Sequence, residues 1–361
     1  MSSARPQKQD KFEQLISNIK RDKTRGTKHT AQNVAGILKD VADSEMWKEP
    51  KELIDIIKLM GTKLIEADPT AFYIGNIVKR ILHTINMQCE SYNVDLGEDK
   101  DEFLSEQTNC LTYLIGSDEK KQNEDDKSSL KEFDRSEFQA HISESLLFIE
   151  SEIEEAYQSI AEHCYEQIQN NDSIMTIGYS RTVLEFFIEA SKNYEFSVLV
   201  VENSPKNTGE AMSKALAKHG INTTLISDSS VFAYLSKIGK IIISTRAIMA
   251  DGGLMTDLGV ELVVQAAHFH NVPVIVISTL YKLTPLYPFD NTTYNTLISS
   301  DTTVGNKMHE FKQNLDVVVP KYDYIEPEYI SLYITNFGCH TPKYIYREFA
   351  EYYSKEELLD F

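Results

Sequence analysis

The chain has 361 residues, 42% hydrophobic and 25% charged, enough for a substantial core and about two domains. Its 55 acidic against 36 basic side chains leave a formal net charge of -19, which argues against direct nucleic-acid binding because phosphate contacts need a basic face. No apolar run approaches the roughly 18 residues of a membrane span. The start lacks the apolar core of a secretory signal, and the scattered Cys89, Cys110, Cys164 and Cys339 exclude a disulfide scaffold or zinc ribbon.

In chain order, residues 1–92 predict a helical bundle. Val34, Ile37, Leu38 and Val41 form one stripe at three/four spacing, Leu53, Ile54, Ile57, Met60 and Leu64 a second, and Ile74, Ile77, Val78, Ile81, Leu82 and Ile85 a third. Pro50 marks one helix start, and Asp68-Pro69 another with Asp68 as the cap. Residues 93–135 predict an acidic mobile insertion: from Asp95 to Arg135 there are 13 acidic and 6 basic residues, with little to bury against the entropy of ordering.

Residues 136–170 predict a long connecting helix. Ser136-Glu-Phe-Gln139 fits a capping box, and Ile142, Leu146, Ile149, Ile153, Ile160 and Cys164 continue one face. About 33 residues at 1.5 Å each would reach about 50 Å, long enough to bridge two halves.

Residues 171–361 change character. β-branched runs at Ile174–Ile177, Phe196–Val201, Thr223–Ile226, Lys240–Ile243, Pro273–Ile277 and Asp316–Val319 alternate with helical stretches such as Thr182–Ser191, Thr208–Lys218 and Leu258–His268. That alternation predicts a doubly wound, Rossmann-like parallel sheet covered on both faces. The fold class is therefore α plus α/β.

Ligands of such sheets bind beyond the carboxyl ends of the strands. Those ends carry Gly178-Tyr-Ser180-Arg181, Glu202-Asn-Ser-Pro205, Ser227-Asp228, Ser244-Thr245-Arg246 and Ser278-Thr279, rich in polar groups suited either to ordinary solvated turns or to a pocket for a phosphate- or hydroxyl-bearing ligand. The candidate pocket is Thr176, Gly178, Ser180, Arg181, Glu202, Asp228, Arg246 and Asp251. Neither GxGxxG, GxxxxGK[ST] nor GxSxG follows the first strand. His268 and His270 lie two apart and would point to nearly opposite sides of a helix, so no metal centre is expected.

Three runs, Ile174-Met-Thr-Ile-Gly-Tyr-Ser-Arg-Thr-Val183, Val201-Glu-Asn-Ser-Pro205 and Ile243-Ser-Thr-Arg-Ala-Ile-Met-Ala-Asp-Gly-Gly-Leu254, together with the tail Glu326–Gly338, resemble a known superfamily. It comprises the methylthioribose-phosphate and ribose-bisphosphate isomerases and the regulatory subunits of translation initiation factor 2B. The resemblance covers the whole chain. Where the isomerases carry a catalytic cysteine, this sequence has Gly178; where they carry an aspartate, it has Arg246; and Glu202-Asn-Ser204-Pro205 lacks their arginine. Moving a proton along a sugar needs a group that gives and takes it near neutral pH. Glycine cannot, and arginine stays protonated.

The resemblance therefore implies a degenerate ligand pocket, no catalytic residue, no cofactor and a non-catalytic regulatory subunit. It implies partners in the alpha, delta, gamma and epsilon subunits of initiation factor 2B and the alpha subunit of initiation factor 2, whose phosphorylation it would help sense, all in the cytosol. Neither nucleic acid nor membrane is an expected partner. The delta type usually has a long basic N-terminal extension and the alpha type lacks the acidic insertion, so this sequence fits neither well.

The alternative function is a sugar-phosphate isomerase with a relocated base such as Asp251 or Asp257. Arg181 and Arg246 would either hold a phosphate or pair with Glu202 or Asp228 as structural ion pairs. Eight of the 19 tyrosines follow residue 320. Tyrosine suits interfaces because it buries a large ring and keeps a polar tip, which places Tyr344, Tyr346 and Tyr352 near an expected subunit contact.

Overall fold

The structure, a computed structural model, describes residues 4–21, 26–44, 47–92, 135–288, 295–298, 318–345 and 347. Four helices come first: α1 (Ala4–Lys20), α2 (Thr27–Ala42), α3 (Pro50–Ala67) and α4 (Phe72–Ser91). The three predicted stripes face one core, where Val34, Leu38, Leu53, Ile57, Ile74 and Ile85 are buried around Trp47 and Phe138. Ile37 and Met60 lie at its margin. Pro50 opens α3 as expected. Asp68 does not cap α4, which starts at Phe72; its carboxylate accepts from Thr70 N (3.0 Å) and Thr70 Oγ1 (2.6 Å) and closes the preceding turn.

Except for Arg135, the acidic segment lies outside the described residues. The long helix α5 runs Arg135–Glu162, 28 residues or about 42 Å. It begins before Ser136, so that serine lies inside the helix and is no cap. The helix also ends earlier than predicted. His163 interrupts it, and a four-residue helix, α6 (Cys164–Gln167), follows. Phe138, Ile142, Leu146, Ile149 and Ile153 pack into the helical core, and Ile160 packs into the core of the α/β part.

The large sheet contains β1 (Ser173–Ile177), β2 (Ser197–Val201), β3 (Asn222–Ile226), β4 (Lys240–Ser244), β7 (Val274–Ile277), β9 (Leu332–Thr335) and β10 (Gly338–His340). Its order is β10-β9-β7-β4-β1-β2-β3, and every pair is parallel except β9 with β10. A second, antiparallel sheet joins β5 (Ala247–Ile248), β6 (Leu254–Asp257) and β8 (Tyr322–Ile325). Five predicted strands fall within a residue of β1, β2, β3, β4 and β7. Of the sixth, 316–319, Asp316 and Val317 lie outside the described residues, and the described Val318 and Val319 belong to no strand, Val318 being exposed. The next strand instead pairs through Tyr322–Ile325 with the small sheet.

Helices α7 (Arg181–Ala190), α8 (Gly209–Lys218), α9 (Val231–Tyr234) and α10 (Val260–Phe269) connect the strands. Gly209 opens α8 against the end of β2. A Cβ there would strike the Val201 carbonyl oxygen and lie 2.7 Å from Glu202 Cα, both fixed backbone. Gly209→Ala is therefore expected to cost about 3 kcal/mol, the upper end of overpacking penalties, read as a lowered thermal midpoint with unchanged strand content after refolding.

Candidate functional site

The strand order reverses between β1 and β4, which opens a crevice at their carboxyl ends. The first turn of α2 and Tyr157, near the C-terminal end of α5, close over it. The resulting cavity of about 580 Å³ is lined by residues from both parts of the chain, within the range of small-molecule pockets. Lys28 Nζ donates to Glu154 O (2.8 Å). Asn76 Nδ2 donates to Tyr281 O (3.0 Å), and the hydroxyls of Tyr157 and Tyr281 lie 3.2 Å apart. The first contact joins the two helices of the roof, and the other two fasten the roof to the turn after β7.

Of the eight pocket residues predicted, Gly178, Ser180, Arg181 and Arg246 line this cavity. Gly178 leaves β1 at φ +64, with Asn203 and Thr208 packed where a side chain would begin (2.9 and 3.0 Å). Ser180 caps α7, its Oγ accepting from Val183 N at 3.5 Å. Arg181 is exposed and lies 3.9 Å from Glu185, one turn along α7.

The other four do not line it, and each has a local reason. Thr176 is buried within β1. Glu202 follows β2 with its backbone held by Ile226 O (3.0 Å) and Gly209 N (3.0 Å). Asp228 accepts from the amides of Asn203 (3.1 Å) and Ser204 (2.7 Å), fixing the loop after β2. Asp251 accepts from Gly253 N (2.8 Å) and from the Tyr324 hydroxyl.

The arginine pairings also differ from expectation. Arg246 Nη2 lies 3.2 Å from both oxygens of Asp257, because Arg246 N bonds Met255 O across the β4–β6 return and brings the end of β6 alongside. Lys206 joins at 3.3 Å. Burial alone would raise the Asp257 pKa; Arg246 and Lys206 outweigh it and hold the carboxyl below its ordinary range. A relocated base at Asp257 is thus tied up as an ion pair, and Asp251 is elsewhere.

Sequence reasoning missed Lys282. It is buried on the cavity wall, and its Nζ donates to Thr245 O (2.8 Å). Burial, reinforced by Arg246, lowers its pKa to about 7, only partly offset by Asp257. Lys28 is lowered too, by burial and then by Arg181. Four basic side chains thus face a cavity whose acids, Glu185 and Asp257, already sit beside two of them. The only available signal for Lys282 was a lysine inside the otherwise apolar run Leu280-Tyr-Lys-Leu283 after β7.

Tyr344 is 38% exposed, stacked on His340 at 5.1 Å with Arg347 over its ring at 5.9 Å. Tyr346 and Tyr352 lie outside the described residues. His268 and His270 do diverge, to Tyr329 (5.1 Å) and Phe232 (4.7 Å) respectively. Among the described residues, no helix is long and apolar enough to cross a membrane.

Residues 23–342 match the model of the initiation factor 2 subunit family. Translation initiation factor eIF2B subunit beta of Dictyostelium discoideum is 34% identical over 96% of both chains. Two solved structures from Chaetomium thermophilum share the fold at 24% identity. One is eIF2B beta, with a TM-score of 0.73 over 97% of this chain and 93% of that one. The other is the tetrameric eIF2B-beta2-delta2 complex, with a TM-score of 0.69 over 95% and 94%.

Proposed function

The chain belongs to the initiation factor 2 subunit family, and from that membership we propose that it serves as the beta-type regulatory subunit of the guanine-nucleotide exchange factor for translation initiation factor 2. The end-to-end similarity to a beta subunit carries this reading. The cavity supports it: glycine stands where the related isomerases have their cysteine, and the arginine standing for their aspartate is bound into an ion pair with Asp257. No described cavity group is placed as a nucleophile beside a free carboxylate base.

In this reading the α/β part pairs with a delta subunit, with Tyr344, Tyr346 and Tyr352 near a subunit contact. The assembly includes alpha, gamma and epsilon subunits in the cytosol, and exchange chemistry resides in epsilon. The chain contributes to distinguishing the phosphorylated alpha subunit of initiation factor 2, since a phosphoserine adds about -1.5 to -2 charges at a docking surface.

Co-expression with a delta subunit followed by light scattering tests this. A defined complex with delta is the expected result, with the chain alone remaining monomeric or aggregated. A well-behaved homodimer that ignores delta would refute it.

A further inference from the structure

We infer that His163, Glu166 and Cys339 form a zinc-type transition-metal site that ties the end of the long helix to the edge strand of the large sheet. The three donors come from two places 173 residues apart in sequence. His163 sits at the interruption between α5 and α6, Glu166 one turn later in α6, and Cys339 in the middle of β10. Their donor atoms all lie within 4.8 Å of one another. His163 Nδ1 is 4.0 Å from Glu166 Oε2, and Cys339 Sγ is 3.8 Å from the same oxygen.

The spacing suits a bound ion. Metal–sulfur, –nitrogen and –oxygen bonds of about 2.0–2.3 Å at tetrahedral angles put donors about 3.4–3.6 Å apart. The His163–Glu166 and Cys339–Glu166 pairs need to close by about half an ångström or less and the widest, within 4.8 Å, by about 1 Å, which rotation of the Glu166 and His163 side chains supplies. The sulfur is well anchored, since Cys339 packs on the core that contains Ile160 and Cys164. Glu166 is exposed and free to turn, its side chain 64% accessible.

A thiolate, an imidazole and one carboxylate select a borderline or soft ion such as Zn²⁺ over Mg²⁺ or Ca²⁺, which prefer all-oxygen sets. The fourth position is left to water or to a donor from a neighbouring chain. On binding, the Cys339 thiol gives its proton to the buffer and its sulfur lone pair to the metal. The sequence could not suggest this site, because Cys339 meets the other two only through the antiparallel return of β10.

The test uses chelator-stripped full-length protein titrated with Co²⁺, whose thiolate coordination gives a near-ultraviolet charge-transfer band. The expected result is a 1:1 band that Cys339→Ser abolishes. Glu166→Gln, a change on an exposed side chain, should weaken binding about tenfold or more while circular dichroism stays unchanged. Absence of the band in the unaltered protein would overturn the site. So would a band that survives Cys339→Ser, which would place the thiolate at another cysteine, or unchanged affinity in Glu166→Gln.

Discussion

Trp47→Ala is expected to destabilise the protein by about 3–5 kcal/mol, the range for deleting a large buried aromatic. Trp47 is fully buried and is the sole tryptophan. Its ring meets the edge of Phe138 at 6.2 Å, and the Arg135 guanidinium lies 5.0 Å over it. Its Nε1 donates to Ala42 O at 2.9 Å, the last residue of α2, where Gln139 Nε2 also reaches at 3.2 Å. The indole therefore joins the ends of α2 and α5 in one contact. Trp47→Phe keeps most of the volume and drops the hydrogen bond, for a loss of about 1 kcal/mol. Urea titration followed by circular dichroism measures both, since fluorescence vanishes with the residue. A loss below about 1 kcal/mol in Trp47→Ala would mean that the core closes over the gap.

Lys282→Met should act in the opposite direction at neutral pH. A buried amine whose pKa falls from 10.5 to about 7 lowers the stability of the folded state by about 3–5 kcal/mol wherever the unfolded chain is fully charged and the folded one is too. That penalty is complete below pH 7. Between pH 7 and 10.5 the unfolded chain holds the extra proton, so stability of the unaltered protein rises with pH through this window. Methionine does not titrate. Its advantage, about 1–4 kcal/mol near pH 6, should shrink steadily as pH approaches 10. Cys89, raised by burial to about 11, and Cys164, to about 12, pull stability down above pH 9, but equally in both proteins. Paired denaturation curves at pH 6, 7.5 and 9 read the difference directly. Parallel pH profiles would show that Lys282 is solvated in the folded state.

Much of the architecture was legible because it rests on periodicity. The stripes of α2, α3 and α4 and the runs of β1, β2, β3, β4 and β7 are local patterns, and the burial they imply is observed except in β3, which lies at the sheet edge with only Ile226 in the core and Leu225 exposed. Boundaries failed where a single polar residue decides them. Asp68 bonds Thr70 and delays α4, and nothing in the pattern around His163 foretold the break in α5. The cavity was half legible. Strand-end position found Gly178, Ser180, Arg181 and Arg246, because the switch point puts those ends together. It also promoted Asp228, and the search for a relocated base promoted Asp251; their carboxylates are consumed by nearby amides and a tyrosine hydroxyl. Position along a chain cannot reveal which acids are already occupied. Asp257 lies at the end of a strand in the second sheet, and its approach to Arg246 depends on a return that periodicity does not encode.

The long helix has one further consequence. Its two ends are embedded in different cores, so it behaves as a stiff rod held at both ends. A rotation of about 5° about the His163 end would sweep the Arg135 end through about 3.7 Å, given a length of about 42 Å. A tilt too small to disturb the packing around Ile160 thus becomes a side-chain-sized displacement of the helical core that holds Trp47 and Phe138 together. Tyr157 lies partway along this lever at the cavity roof, where the same rotation moves the wall far less. Motion originating at the sheet is therefore amplified with distance, and the helical end is where a change of state would be easiest to see.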